Sequence, residues 1–155
     1  MISVEPGLVD TNVIVYSINA DAPDHASSRA LLEAARIPST ELYVSSQIIC
    51  ELYSVITSAR RVAAPCSPRE ALQVLSAILT LPGIRVLPIP AEALTALLEI
   101  LRVHPLTGGD VFDAQIVATM KANNIQRIYT FNAEDFEVFP ELSVVVPGVS
   151  DRNRP

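Results

Sequence analysis

The 155 residues are half hydrophobic and carry 11 lysines and arginines against 17 aspartates and glutamates, for a net charge of −6. That length suits one domain with a sizeable core, and the acidity speaks against a generic polyanion-binding surface, although acids gathered at one metal site would account for part of it. There is no apolar run long enough to span a bilayer and no basic-then-apolar leader, and Cys50 and Cys66 lack metal-ligand spacing, all of which fits a cytoplasmic protein with plain thiols.

Gly7-Leu8-Val9 predicts a short buried strand that ends in Asp10-Thr11-Asn12, with a helix from Val13 to Ile18 broken by Asp21-Ala22-Pro23-Asp24. His25 to Arg36 is an amphipathic helix stopped at Pro38, and Leu42-Tyr43-Val44 a second strand. A helix from Ser46 to about Arg60 sets Ile48, Leu52, Val55 and Ile56 on one face. Pro65 and Pro68 flank a loop, and Pro68 suits the first turn of a helix over Arg69 to Leu81. Ile84 to Leu87 is a third strand, and Ala91 to Val103 a further helix.

After a loop from His104 to Gly109 comes a helix with Asp110 as its expected N-cap and Ile116, Val117 and Met120 as an apolar stripe. Arg127 to Phe131 is a fourth strand, Asn132 to Phe139 a short acidic helix and Ser143 to Val146 a last strand. Strands alternating with helices predict an α/β fold, a parallel sheet covered on both faces. Residues 1–150 form a single domain on this reading, and 151–155 a polar tail expected to be mobile.

The acids fall in a pattern. In open α/β sheets ligands collect outside the carboxyl ends of the strands, where Asp10, Asn132 and Asp135 belong. Asp113 precedes Ile116, Val117 and Met120 by three, four and seven residues, so it heads their stripe. Glu51 stands three residues after Ile48 and four before Val55, again in line with an apolar face. A first-turn acid such as Asp113 is also explained by the helix dipole, worth about 0.3–1 kcal/mol. Hard oxygen donors without a His or Cys cluster point to Mg²⁺ or Mn²⁺, and structural ion pairs are the competing explanation. Lys121 is the only lysine; arginine suits bidentate phosphate contacts, and biased base composition explains the preference equally well.

The ordered set Val9-Asp10-Thr11-Asn12, Glu51-Leu52, Phe112-Asp113-Ala114-Gln115-Ile116-Val117-Ala118 and Tyr129-Thr130-Phe131-Asn132-Ala133-Glu134-Asp135-Phe136 resembles the PIN-domain ribonucleases, in particular the VapC-like toxins of toxin–antitoxin pairs. The resemblance implies a three-layer sandwich around a parallel sheet of about five strands. It implies a Mg²⁺- or Mn²⁺-dependent endoribonuclease with Asp10 and Asp113 as direct metal ligands, and Glu51 with Asp135 completing the catalytic set. Asn132 occupies the place where many relatives carry the fourth aspartate, which makes Asp135 the alternative. Thr11 and Thr130 match hydroxyl positions that orient carboxylates or water, and are equally ordinary as cap and turn residues. An RNA substrate, a small antitoxin and a homodimer are the implied partners.

Two rival readings belong beside this one. The departure at Asn132 leaves room for a catalytically inactive PIN-like module that binds RNA or protein. A phosphotransfer domain, either a haloacid-dehalogenase-like phosphatase or a receiver, shares the early strand-end aspartate, but the former wants an acid where Asn12 stands and both want a lysine after a later strand. Five glycines supply no phosphate or dinucleotide loop.

Overall fold

A computed structural model describes residues 3–149 of the chain, so the polar tail expected at 151–155 lies outside the described residues. Five strands, β1 (Gly7–Val9), β2 (Leu42–Val44), β3 (Ile84–Val86), β4 (Arg127–Tyr129) and β5 (Ser143–Val145), form one parallel sheet in the order β3-β2-β1-β4-β5. Leu8 stands between Tyr43 on β2 and Ile128 on β4, which fixes the register at the centre. The chain moves outward from β1 through β2 to β3, then crosses back to place β4 on the other side of β1. The strand order therefore reverses between β1 and β4. Their carboxyl ends frame the crevice in which such sheets take ligands.

Among the described residues seven α-helices make the connections: α1 (Thr11–Ile18), α2 (His25–Ala34), α3 (Ser46–Ile56), α4 (Pro68–Leu79), α5 (Ala91–Val103), α6 (Val111–Ala122) and α7 (Ala133–Glu137). Helix α1 packs on α2 and α3, and α3 on α4, whereas α5 packs on α6. The chain crosses outward from β1 to β3 and back to β4, and connections of the usual right hand then lie on opposite faces of the sheet, the three-layer arrangement that the alternation predicts. Leu8, Val9, Leu42, Val44 and Ile128 of the sheet are fully buried between them, with Ile14, Ile48, Leu52, Val117 and Met120 from the helices. Each such side chain contributes about 1.5–3 kcal/mol by leaving water.

The differences from expectation have local causes. Helix α1 starts at Thr11 rather than Val13, because the Asp10 side chain accepts from the Thr11 amide and caps it. Helix α3 stops at Ile56, four residues early, and the chain turns through Arg61, whose amide donates to the Ser58 carbonyl. Pro68 does open α4, and Ser67 and Glu70 close a reciprocal capping box around it. Cys50 faces out of its apolar helix and is exposed.

Helix α6 is the largest departure. Ile116 to Met120 are five consecutive buried residues, so the helix has no solvent face over its central turns. A single apolar stripe understates it: Ala118 and Thr119 are also covered, with α5 packed alongside. Asp110 was expected to cap this helix. Instead it ends a 3-10 turn over Gly108–Asp110, already in helical conformation at φ −64° and ψ −19°, and its side chain makes no capping bond. A cap needs an extended backbone to fold its side chain onto the following amides. Gly108, at φ +59°, makes the tight entry possible.

Candidate active site

Asp10 follows β1 at the crevice and is buried. Its amide donates to the Tyr129 carbonyl at 3.0 Å, tying the end of β1 to the end of β4. One carboxylate oxygen accepts from the Thr11 amide and the other from the Thr130 hydroxyl, both at 2.8 Å. The Asn12 side chain adds a longer contact to that second oxygen, and its own oxygen accepts from the Phe131 amide at 3.2 Å. Burial pushes the Asp10 pKa up; the bonds from Thr130 and Thr11 oppose this, and the charges of Glu51 and Asp135 add to it.

Glu51 comes from α3, where Ile48, Leu52 and Ile56 anchor one face in the core. Both of its oxygens are held: Oε2 accepts from the Thr11 hydroxyl at 3.0 Å and Oε1 from the Gln47 amide nitrogen at 2.9 Å. The same Gln47 nitrogen donates to the Phe112 carbonyl at 2.9 Å, which joins α3 to the first turn of α6 beside Asp113.

Asp113 is half-buried, and among the described residues no donor reaches its carboxylate. Its pKa is raised to about 6, first by burial and then by the negative charges of Asp135, Asp10, Glu51 and Asp110. Asp10, Glu51, Asp113 and Asn132 line one cavity of about 510 Å³ at the crevice. Asp135 does not line it. That exposed side chain sits at an adjoining recess of about 180 Å³, shared with Asp113, Asp110 and Glu134. Asp113 thus stands between two groups of acids, and Asp135 acts on it through charge rather than through contact with the main cavity.

The structure therefore gathers Asp10, Glu51 and Asp113 from a strand end and two helices, brings Asn132 beside them, and keeps Asp135 one cavity away. Sequence reading passed over Gln47 and Arg61. The Gln47–Glu51 pair at i, i+4 was a usable signal, since such residues are neighbours on a helix surface. Arg61 carried none: it lies past the end of α3 and reaches the cavity only because the chain turns there. Around Asp10, Glu51, Asp113 and Asp135 no arginine, lysine or histidine stands within salt-bridge reach among the described residues, so their charge is not paired within the chain.

Among the described residues no helix is long and apolar enough to cross a membrane. The PIN domain family matches residues 7–142. Ribonuclease VapC43 of Mycobacterium tuberculosis is 30% identical over 116 residues, which span 75% of this chain and 79% of that one. Among solved structures, VapBC2 of Rickettsia felis bound to a promoter DNA fragment superposes with a TM-score of 0.65 at 22% identity, covering 91% of this chain and 98% of that one. VapC20 of Mycobacterium tuberculosis, a toxin that cleaves the sarcin–ricin loop, gives 0.63 at 23%, covering 85% and 94%. At those identities the two structures speak for the fold. The family match and the VapC43 relative go further: this chain belongs to the PIN-domain family.

Proposed function

We propose that the chain is an endoribonuclease that hydrolyses RNA phosphodiesters at this cavity with Mg²⁺ or Mn²⁺, and that it is the toxin of a toxin–antitoxin pair. The observation that carries the reading is the meeting of Asp10, Glu51 and Asp113 in one cavity, with both aspartates pushed toward the protonated form. Carboxylates brought together against that cost are stabilised when a cation joins them.

The donor set suits a hard divalent ion, since every charged group on it offers oxygen. Among the described residues no three acidic, His or Cys side chains are already placed to ligate one ion. Mg²⁺ keeps several waters and takes one or two carboxylates, so it does not require such a triple. Asp10 and Asp113 would be those two: Asp10 is fixed by Thr130 and Thr11, and Asp113 is free of donors. When bound, the cation supplies positive charge against a phosphate and a lowered pKa for water at the site. Glu51, locked between Thr11 and Gln47, sets the direction from which an attacking water is held. Asp135 completes the acidic field from the adjoining recess.

A small antitoxin protein is the proposed partner, because the structures that resemble this one include a toxin–antitoxin complex from Klebsiella pneumoniae, beside DNA-bound VapBC2 of R. felis and VapBC of Salmonella typhimurium. Homodimerisation and action in the cytoplasm, where RNA and antitoxin are found, follow from the same reading. The test pairs RNA cleavage with thermal melts in chelator, Mg²⁺ and Mn²⁺. Cleavage is expected only with metal, and metal at one hundred times its Kd should stabilise the parent by about 2.7 kcal/mol. A double variant, Asp10→Asn with Asp113→Asn, that responds to metal as the parent does would remove these two as ligands. Cleavage that persists in chelator would remove the metal.

A further inference from the structure

The cavity that holds the acids continues beyond them. Thr11, Asn12, Val15 and Tyr16 of α1 form one wall, spaced as a single helix face, and Glu51, Ser54 and Val55 of α3 form the other. Tyr16 stands five residues past Thr11, and Val55 four past Glu51, so the groove extends about one helical turn, roughly 5.4 Å, from the carboxylates. At about 510 Å³ it is larger than a scissile phosphate and its hydrated ion need.

The chemistry changes along it. Asp10, Glu51 and Asp113 gather at one end, whereas Arg61 is the cationic residue among those lining the cavity. Among the described residues no carboxylate pairs with Arg61, although acids stand in the same cavity. It also does not figure among the charges that act on Asp10 or Asp113. Arg61 is therefore not a counter-ion of the acids. Tyr16, which lines the same cavity, is half-buried, its ring backed by Phe131 at 5.3 Å between centroids and its backbone carbonyl bonded to His25 Nδ1 at 2.8 Å. An unpaired guanidinium and a braced aromatic ring lining one cavity match one repeat of a single strand, a phosphate and a base.

We propose that this end of the cavity is a subsite for the nucleotide next to the one cleaved, with Arg61 on its phosphate and the Tyr16 ring against its base. The proposal rests on the ribonuclease reading and names substrate-positioning residues within it. Phosphate contacts fix register, and stacking on an aromatic ring tolerates any base. The subsite thus seats a single strand without reading sequence.

The experiment measures binding of a fluorescein-labelled single-stranded 12-mer RNA by anisotropy across a salt series. It uses the full chain in an Asp113→Asn background with chelator present, the RNA being checked on a gel for integrity after each titration. Arg61→Gln is expected to weaken binding about ten-fold and to reduce the slope of log K against log salt by about 0.7, one phosphate contact on a single strand. Arg60→Gln, next along the chain but outside the cavity, should leave the slope within error. Equal effects at Arg60 and Arg61, or an unchanged slope in Arg61→Gln, overturn the phosphate contact; a merely structural arginine would not move that slope. Tyr16→Leu should weaken binding with the slope intact, and Tyr16→Phe should bind as the parent does. Parent-like binding by folded Tyr16→Leu, or weak binding by Tyr16→Phe, overturns the base contact. Cleavage of the same RNA by the parent chain is run alongside. A parent that cleaves while Arg61→Gln matches it in slope and kcat/KM removes the subsite alone, and a parent that never cleaves removes the reading beneath it.

Discussion

Two neighbouring residues at the end of β4 belong to two different cavities. Tyr129 lines the larger, of about 680 Å³, between α2, the residues before β1 and those after β5. Thr130 holds Asp10 at the smaller, of about 510 Å³. In the larger cavity the polar groups answer one another: the Tyr129 hydroxyl donates to the Glu5 carbonyl at 2.6 Å, and Arg127 donates to the Pro6 carbonyl and lies 3.9 Å from the Glu5 carboxylate. In the smaller, Asp10, Glu51 and Asp113 line one cavity and the two aspartates are driven toward protonation. Volume records where packing left room. Uncompensated charge marks where a ligand has to complete the molecule.

The sharpest way to break that contrast is Asp113→Asn. If Asp113 serves the smaller cavity, RNA cleavage in excess Mn²⁺ falls by orders of magnitude. The same variant in chelator at pH 7 should melt at or above the parent, because one source of repulsion has gone. If Asp113 only stabilises the start of α6, the variant loses stability, up to about 1 kcal/mol, and keeps its activity. Denaturant melts and cleavage on the same two proteins decide it. A less stable, fully active variant would strip the helix of any catalytic part.

A smaller effect separates the two candidates for the fourth position. Asn132 lines the main cavity, whereas Asp135 lies in the adjoining recess yet is the largest charge acting on Asp113. Beside a divalent cation an anion is harder to replace than an amide, so Asp135→Asn should slow single-turnover cleavage more than Asn132→Ala. The expected gap is on the order of ten-fold, about 1.4 kcal/mol. The reverse order, with both variants folded, would hand the position to Asn132 and narrow the site to residues that share one cavity.

How much of this could be read from the chain depends on the range of the interactions concerned. The alternation of strands and helices, Pro68 opening α4 and the strand-end place of Asp10 are local patterns, and the sheet realises them. Glu51 and Asp113 were visible as acids in line with apolar faces, because helix periodicity fixes direction. What failed was set by tertiary packing. Full burial of Ile116 to Met120 comes from α5 lying against α6, which no window on α6 contains. The backbone at Asp110 follows from the turn begun at Gly108, so a residue of the right type does not cap. Arg61 enters the cavity through a chain reversal, and the separation of Asp135 from Asn132 depends on how α7 leaves β4.

The larger cavity makes the opposite prediction from the smaller one. Tyr129→Phe removes the hydroxyl that donates to the Glu5 carbonyl and keeps the ring, against which a side chain at Gly7 would come within 2.8 Å. Stability should fall by about 0.5–1.5 kcal/mol, the net worth of one hydrogen bond. Cleavage should match the parent, although the altered residue is bonded through its carbonyl to the Asp10 amide. A cleavage defect larger than about three-fold, or 0.7 kcal/mol, would show that the two cavities are coupled across the strand end and undo the contrast between them.

The smallest effect is the response of stability to pH in the absence of metal. Asp113 in the folded chain holds its proton up to about pH 6, against 3.8 for the free side chain, because burial and then Asp135, Asp10, Glu51 and Asp110 disfavour its charge. A group whose folded pKa is raised binds protons better in the native state. Its contribution to stability is therefore full below the unfolded value and is lost as pH rises through the folded one. Moving from pH 7 to pH 5 in chelator should stabilise the parent, by less than about 1 kcal/mol once screening of a half-exposed group is allowed for. Asp10 shifts in the same direction and steepens the trend. Asp113→Asn should flatten most of it, and Tyr129→Phe should leave it unchanged. Saturating Mg²⁺ should reverse it, since acid then competes with the cation for the same oxygens. A parent whose metal-free stability falls steadily from pH 7 to pH 5 would mean that the carboxylates of the smaller cavity are already paired within the protein, and that the cavity has no charge left for a ligand to answer.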